Sequence, residues 1–213
     1  MNPRRRRRAG EPSLPPGRVH VRTALAAAAV LAAGPAQAHL TNSGFGPFYD
    51  GLAHPLLSPE DILPAVAMTL LAGLGGARCG RFVLATLPLA WLTGMVGGWA
   101  LGLPGAPAWL LAIMTALLGA LVASDLRPPL TLVVAAAAAI GALHGYDNGR
   151  DLAATTGALV AIIGIACSLF AVVSLVTGQI VVVKAQWARL AVRICGSWIA
   201  AVGLLMFGWA MRG

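Results

Sequence analysis

Read from the amino terminus, the chain alternates long apolar runs with short polar breaks, and within the runs apolar and polar positions do not alternate at period two. After a first run at residues 23–33, the others fall at residues 62–76, 82–101, 107–123, 130–143, 152–177 and 190–211. With no water in a bilayer core to satisfy backbone groups, a spanning segment is a helix or part of a closed barrel. A barrel strand needs period-two alternation. The pattern therefore predicts an all-α fold, a polytopic membrane bundle of six transmembrane helices. Several runs are shorter than the roughly 20 residues a crossing requires, so their helices must recruit flanking residues.

Composition sharpens this reading. Apolar residues make up 58% of the chain and charged residues 10%, and the mean hydropathy is +0.80. A soluble domain carries about 25% charge, so a water-facing surface cannot be built from this chain. The formal net charge of +8 belongs largely to the first segment: Arg4 to Arg8, Arg18 and Arg22 all precede residue 39. Beyond them the basic and acidic groups nearly balance, so no cationic face remains for a phosphate backbone and no nucleic-acid partner is expected.

That first segment has the parts of a secretory signal: a basic stretch to Arg22, a short apolar run, and the small-x-small triplet Ala36-Gln37-Ala38. Cleavage after Ala38 makes His39 the new terminus, an uncleaved anchor being the alternative. The expected organisation is a signal peptide at residues 1–38, a periplasmic metal-capture segment at 39–61 and a six-helix transmembrane domain at 62–213. Export of His39 places the first, third and fifth connections in the cytoplasm. Those connections and their flanks hold Arg78, Arg81, Arg127, Lys184, Arg189 and Arg193, against Arg150 and Arg212 on the other face. The agreement with the positive-inside rule predicts a multi-pass protein of the bacterial inner membrane with its mature amino terminus in the periplasm.

On this topology Asp50, Glu60, Asp61, Asp147 and Asp151 fall on the external side, with His39, His54 and His144. Histidine is not sorted by the charge rule, so its one-sidedness needs its own cause. Imidazole with carboxylate suits borderline divalent metals, and the candidate ligands are His39, His54, Glu60, Asp61, His144 and Asp147. The bland alternative for Glu60 and Asp61 is helix capping: Ser58 as N-cap, Pro59 at the first helical position and acidic groups in the first turn. Neighbouring helical residues point about 100° apart, so Glu60 and Asp61 cannot both face one ion, and Asp61 is the better ligand. Gly73, Gly75, Gly76, Gly94, Gly97 and Gly98 allow close helix approach, with ordinary packing as their plainest role.

The stretch Gly46-Pro47-Phe48-Tyr49-Asp50-Gly51-Leu52-Ala53-His54-Pro55, a signal segment before it and a histidine-glycine pair in a later helix together resemble the HupE/UreJ proteins, membrane permeases associated with nickel supply to hydrogenase and urease. The family's H-P-x-x-G-x-D-H stands here as His54-Pro55-Leu56-Leu57-Ser58-Pro59-Glu60-Asp61, and its H-G-x-A-H-G as His144-Gly145-Tyr146-Asp147-Asn148-Gly149. In each motif the first histidine is kept and the second is lost. Asp61 and Asp147 are candidate harder-ligand substitutes.

The resemblance implies a permease for a divalent transition metal, nickel or cobalt first, and no enzyme. The metal is cargo; no permanently bound cofactor is expected. No G-x-x-x-x-G-K-[ST] nucleotide loop occurs. The membrane potential suffices: inward movement of a dication gains roughly 4.6 kcal/mol per 100 mV, about three decades of concentration. His39, His54 and Asp61 would capture the ion, and His144 with Asp147 pass it inward. The alternative is a non-transporting membrane accessory protein that binds metal or metalloenzyme assembly factors; it needs an external site but no continuous polar path. An intramembrane hydrolase finds little support, since Ser168, Ser174 and Ser197 have no histidine near them in sequence and no G-x-S-x-G occurs.

Overall fold

The computed structural model describes residues 43–183 and 185–212. Seven α-helices run through them: α1 Pro47–Leu57, α2 Pro59–Leu74, α3 Ala77–Leu101, α4 Ala108–Ala123, α5 Leu130–Leu152, α6 Ala158–Val182 and α7 Gln186–Ala210. Strands are absent among the described residues. The expected signal peptide and His39 lie outside them.

The breaks between helices are written in proline and glycine. Gly46 caps α1 at φ 97°, a left-handed conformation that favours glycine, and Pro47 occupies the first helical turn. Ser58, held extended (φ −96°, ψ 104°) as a residue before proline must be, ends α1 and starts α2. The two helices meet there at a bend of 68°. Further on, α3 ends on left-handed Gly102, whose N–H bonds the Gly98 carbonyl, and Pro107 and Pro129 precede α4 and α5.

Each of the six expected runs carries a helix, but the count of crossings is smaller on length. Four helices, α3, α5, α6 and α7, are individually long and apolar enough to cross a membrane, and the bent α1–α2 pair makes a fifth if taken as one span. Six is reached only by adding α4, a 16-residue apolar helix. Two boundaries differ most from expectation. The fourth run, expected to stop at residue 143, continues as helix through Leu152, and the next helix begins at Ala158.

Helices pair through close backbone contact, α3 with α5 in parallel and α4 with α7 antiparallel. Along α3 and α5, Gly94 and Gly98 lie against the backbone at Ala142 and Tyr146, and Gly141, Gly145 and Gly149 lie against Leu87, Trp91 and Met95. These positions recur every four residues, so one stripe on each helix meets the other with no side chain between them. Of the glycines expected to serve close approach, Gly73, Gly94 and Gly98 do so; Gly97 meets only the Tyr146 ring at 3.8 Å. Similar contacts join α4 to α7 through Gly119, Gly196 and Gly203, and α1 to α6 through Gly51 and Gly164. This pairing sets Asp61, the carboxyl end of α3 and the carboxyl end of α5 at one end of the bundle. The carboxyl end of α4 and the amino end of α7 lie at the other.

Candidate functional site

Asp61 sits in the first turn of α2, beside the bend. Ser58 and Pro59 take the N-cap and first helical positions anticipated for them, yet the Ser58 hydroxyl makes no capping bond; its backbone carbonyl accepts from the Asp61 and Ile62 amides at 3.0 Å each. Helix capping does not engage the Asp61 side chain. That carboxylate is 2% exposed and turned into the bundle.

Three side chains from two other helices close on it. His54 Nε2, on α1, lies 3.4 Å from Asp61 Oδ2, and Asn148 Nδ2, on α5, donates to the same oxygen at 3.0 Å. His144 Nδ1, also on α5, lies 3.6 Å from Asp61 Oδ1. The bend makes the first contact possible: seven residues along a straight helix would separate His54 from Asp61 by about 10 Å. The other two follow from helical spacing, since residues four apart share a face and so His144 and Asn148 reach one target. Trp91 of α3 stacks on the His144 ring at 5.4 Å between centroids and 29° between planes. Gly145, beside His144, allows this by bringing α5 onto the Trp91 backbone.

A carboxylate at membrane depth is costly unless paired and hydrogen-bonded, and two imidazoles and an amide supply that compensation here. The cluster leaves capacity unused. Among the described residues, His144 Nε2 and Trp91 Nε1 are buried without a hydrogen-bond partner, as is Asp147 Oδ1. With Nδ1 turned to Asp61, a neutral His144 carries its lone pair on Nε2, the arrangement in which a carboxylate orients an imidazole for a cation.

The structure brings His54, Asp61 and His144 together, and leaves the other expected ligands apart from them. Glu60 is half-buried and forms no hydrogen bond or ion pair among the described residues, as the 100° offset between neighbours requires. Asp147 bonds to none of the cluster; its Oδ1 packs against Gly105 of the α3–α4 loop, with Arg150 Nη2 3.9 Å away. Tyr146 donates to the Leu103 carbonyl of the same loop at 3.2 Å. Because the two imidazoles face different oxygens of Asp61, the arrangement is a clamped carboxylate. No set of three or more His, Cys, Asp or Glu side chains stands at metal-holding spacing among the described residues. Asn148 and Trp91 were not anticipated from the sequence. The i,i+4 relation to His144 was the available signal for Asn148.

A bundle of long apolar helices closed around a buried histidine–aspartate cluster defines a helical membrane protein of multiple passes, with an ionisable site at one end. The family described as HupE / UreJ protein matches residues 27–206, most of the chain and all of the site. The chain belongs to the HupE/UreJ family. No curated protein and no solved structure matches it.

Proposed function

We propose that this chain is a permease carrying a divalent transition metal, nickel or cobalt, across the bacterial inner membrane by facilitated or secondary uptake, with His54, Asp61 and His144 as the ion's binding site. The observation that carries the reading is the convergence of two imidazoles from different helices on one carboxylate that is 2% exposed. The 3.4 Å between His54 Nε2 and Asp61 Oδ2 is close to the separation of neighbouring ligands joined to one ion by bonds of about 2.0–2.1 Å, so small movements of these two side chains would let them share an ion. His144 Nε2 supplies a buried lone pair, and Asp61 offsets part of the ion's charge. Glu60 and Asp147 stand near the same end as stations for approach, and His39 joins them if the leader is removed. The mature amino terminus then faces the periplasm.

Uptake of radioactive nickel and cobalt into proteoliposomes tests this. H54A and H144A should each lower the rate by an order of magnitude or more; wild-type rates in both variants would refute the proposal.

One observation favours the accessory reading. From the Asp61 cluster towards the far end the interior is lined by Met68, Leu71, Val83, Leu87, Leu169 and Val173, all buried. The buried hydroxyls there are Thr69, bonded to its own helix at the Val66 carbonyl, and Ser168 and Thr177 of α6, too few for a continuous polar path. Tight metal binding with no uptake by the wild-type chain would select that reading, with metalloenzyme assembly factors as partners.

A further inference from the structure

At the end of the bundle remote from Asp61, the segment after α4 and the first two turns of α7 line a half-open cavity of about 770 Å³. Its polar wall is formed by Arg127, Arg189 and Arg193 with Asp125 and Gln186; Trp187 and Leu190 complete it on the apolar side. The charges do not cancel. Asp125 accepts from Arg189 Nη2 at 3.1 and 3.3 Å, which uses the one carboxylate. Arg193 spends its Nε on the Ala123 carbonyl at 2.8 Å, leaving its two terminal nitrogens free of hydrogen bonds among the described residues. Arg127 forms no hydrogen bond or ion pair among them. Two guanidinium groups therefore face one cavity with their charge uncompensated, and guanidinium is the side chain suited to bidentate contact with phosphate.

The surface that continues from the cavity is apolar. Trp187, Leu190, Ile194 and Trp198 are 77%, 55%, 50% and 70% exposed, and their spacing of three, four and four residues puts them on one face of α7. A ligand that fits both parts has a phosphate head and hydrocarbon chains. We infer that this cavity binds the headgroup of an anionic phospholipid, its phosphate on Arg127 and Arg193 and its acyl chains along the exposed face of α7. Basic pockets between membrane helices hold anionic headgroups in this way, and tryptophan at the headgroup level is favoured on both its apolar and its N–H side. A free phosphate ion would use the arginines but has no use for the apolar face. The site is separate from the Asp61 cluster, so its lipid affinity does not depend on what that cluster carries.

The test is titration of phosphatidylglycerol, phosphatidylcholine and inorganic phosphate into the delipidated, detergent-solubilised chain, with bound lipid read by native mass spectrometry. The wild type should bind phosphatidylglycerol in preference to phosphatidylcholine. R127Q should weaken that binding about fivefold, and R127Q/R193Q about 25-fold. R127Q removes no hydrogen bond or ion pair among the described residues, so it leaves the Asp125–Arg189 pair to hold the α4–α7 junction. R81Q, near the same end but outside the cavity, should leave the affinity unchanged. Equal loss in R81Q and R127Q, or equal affinity for the two lipids, overturns the assignment. Displacement of phosphatidylglycerol by inorganic phosphate at equal concentration would give the cavity to a free anion and overturn the lipid equally.

Discussion

Gly145→Ala is the smallest change that tests whether the α3–α5 seam positions the site. A Cβ at this position overlaps the Trp91 carbonyl oxygen, and Trp91 C and Cα lie just behind it at 2.8 and 2.9 Å. These are backbone atoms, so no side-chain rotation relieves the overlap. To restore the 3.3–3.6 Å typical of close carbon–oxygen contacts between helices, α3 and α5 must part by at least about 1.2–1.5 Å. Overpacking of this kind costs about 1–3 kcal/mol, or about 2–12 °C in Tm at roughly 2–4 °C per kcal/mol for a chain of this size. The same displacement shifts His144, the preceding residue, relative to Asp61, where the present separation is 3.6 Å.

Gly97→Ala supplies the control. It lies on the same helix pair, but its Cβ would meet only Tyr146 Cδ2 at 3.8 Å, an ordinary contact. Replacing an unconstrained helical glycine by alanine is neutral to about 1 kcal/mol stabilising. Thermal unfolding of both variants in one detergent, followed by tryptophan fluorescence, with nickel binding measured in parallel, separates the two positions. G145A should melt below the wild type and bind metal less tightly, while G97A should do neither. If G145A melts with G97A, the close approach at Trp91 does not constrain the bundle and the reasoning fails.

Asn148→Ala removes a buried hydrogen bond to a carboxylate, a class of bond that contributes about 1.5–3 kcal/mol; calorimetry should show metal affinity reduced about tenfold, and a smaller loss for D147N would agree with Asp147 lying outside the cluster. The Asp125–Arg189 pair is one-third exposed at both partners, so D125N should cost no more than about 1 kcal/mol; a loss of several kcal/mol in denaturation would contradict that. Gly105→Ala drives a Cβ into the Asp147 carboxylate, a side chain able to rotate aside, so Tm should hold; if uptake holds as well, Asp147 is not a station on the ion's route.

The helical class and the six apolar runs were legible because hydropathy at this level allows few other structures. Helix ends were less so, for identifiable reasons. Residues 144–152 contain two glycines, two aspartates and an arginine, a composition that signals a loop when read alone. They stay helical because Gly145 and Gly149 are packed against the α3 backbone, a tertiary contact with no local signature. Residues 47–57 carry two prolines, one at the helix start and Pro55 within it, and the segment's chemistry drew attention from its helicity. His54, Asp61 and His144 stood out as ionisable groups in an apolar chain. Trp91 lies within an apolar run, and Asn148 is uncharged and stands beside Asp147, so no charge marks either position in the sequence.

The cluster also gives the two departures from the family motifs a common meaning. The pattern that the chain resembles places its second histidines at positions 61 and 148; here these are aspartate and asparagine. Far apart in sequence, the two positions touch, Asn148 Nδ2 donating to Asp61 Oδ2 at 3.0 Å. The two substitutions therefore act on one site. An unaccompanied aspartate at position 61 would leave a buried carboxylate short of a donor, and Asn148 supplies one that never deprotonates. The pair changes the site's charge as well. With a dication bound as proposed, Asp61 would cancel half the charge that four imidazoles would leave whole. The cost of holding charge in a low-dielectric interior grows with its square, so the proposed loaded site would bear about a quarter of the burden. A carboxylate and an amide are also harder donors than imidazoles, which on that proposal would move the preference towards harder cations.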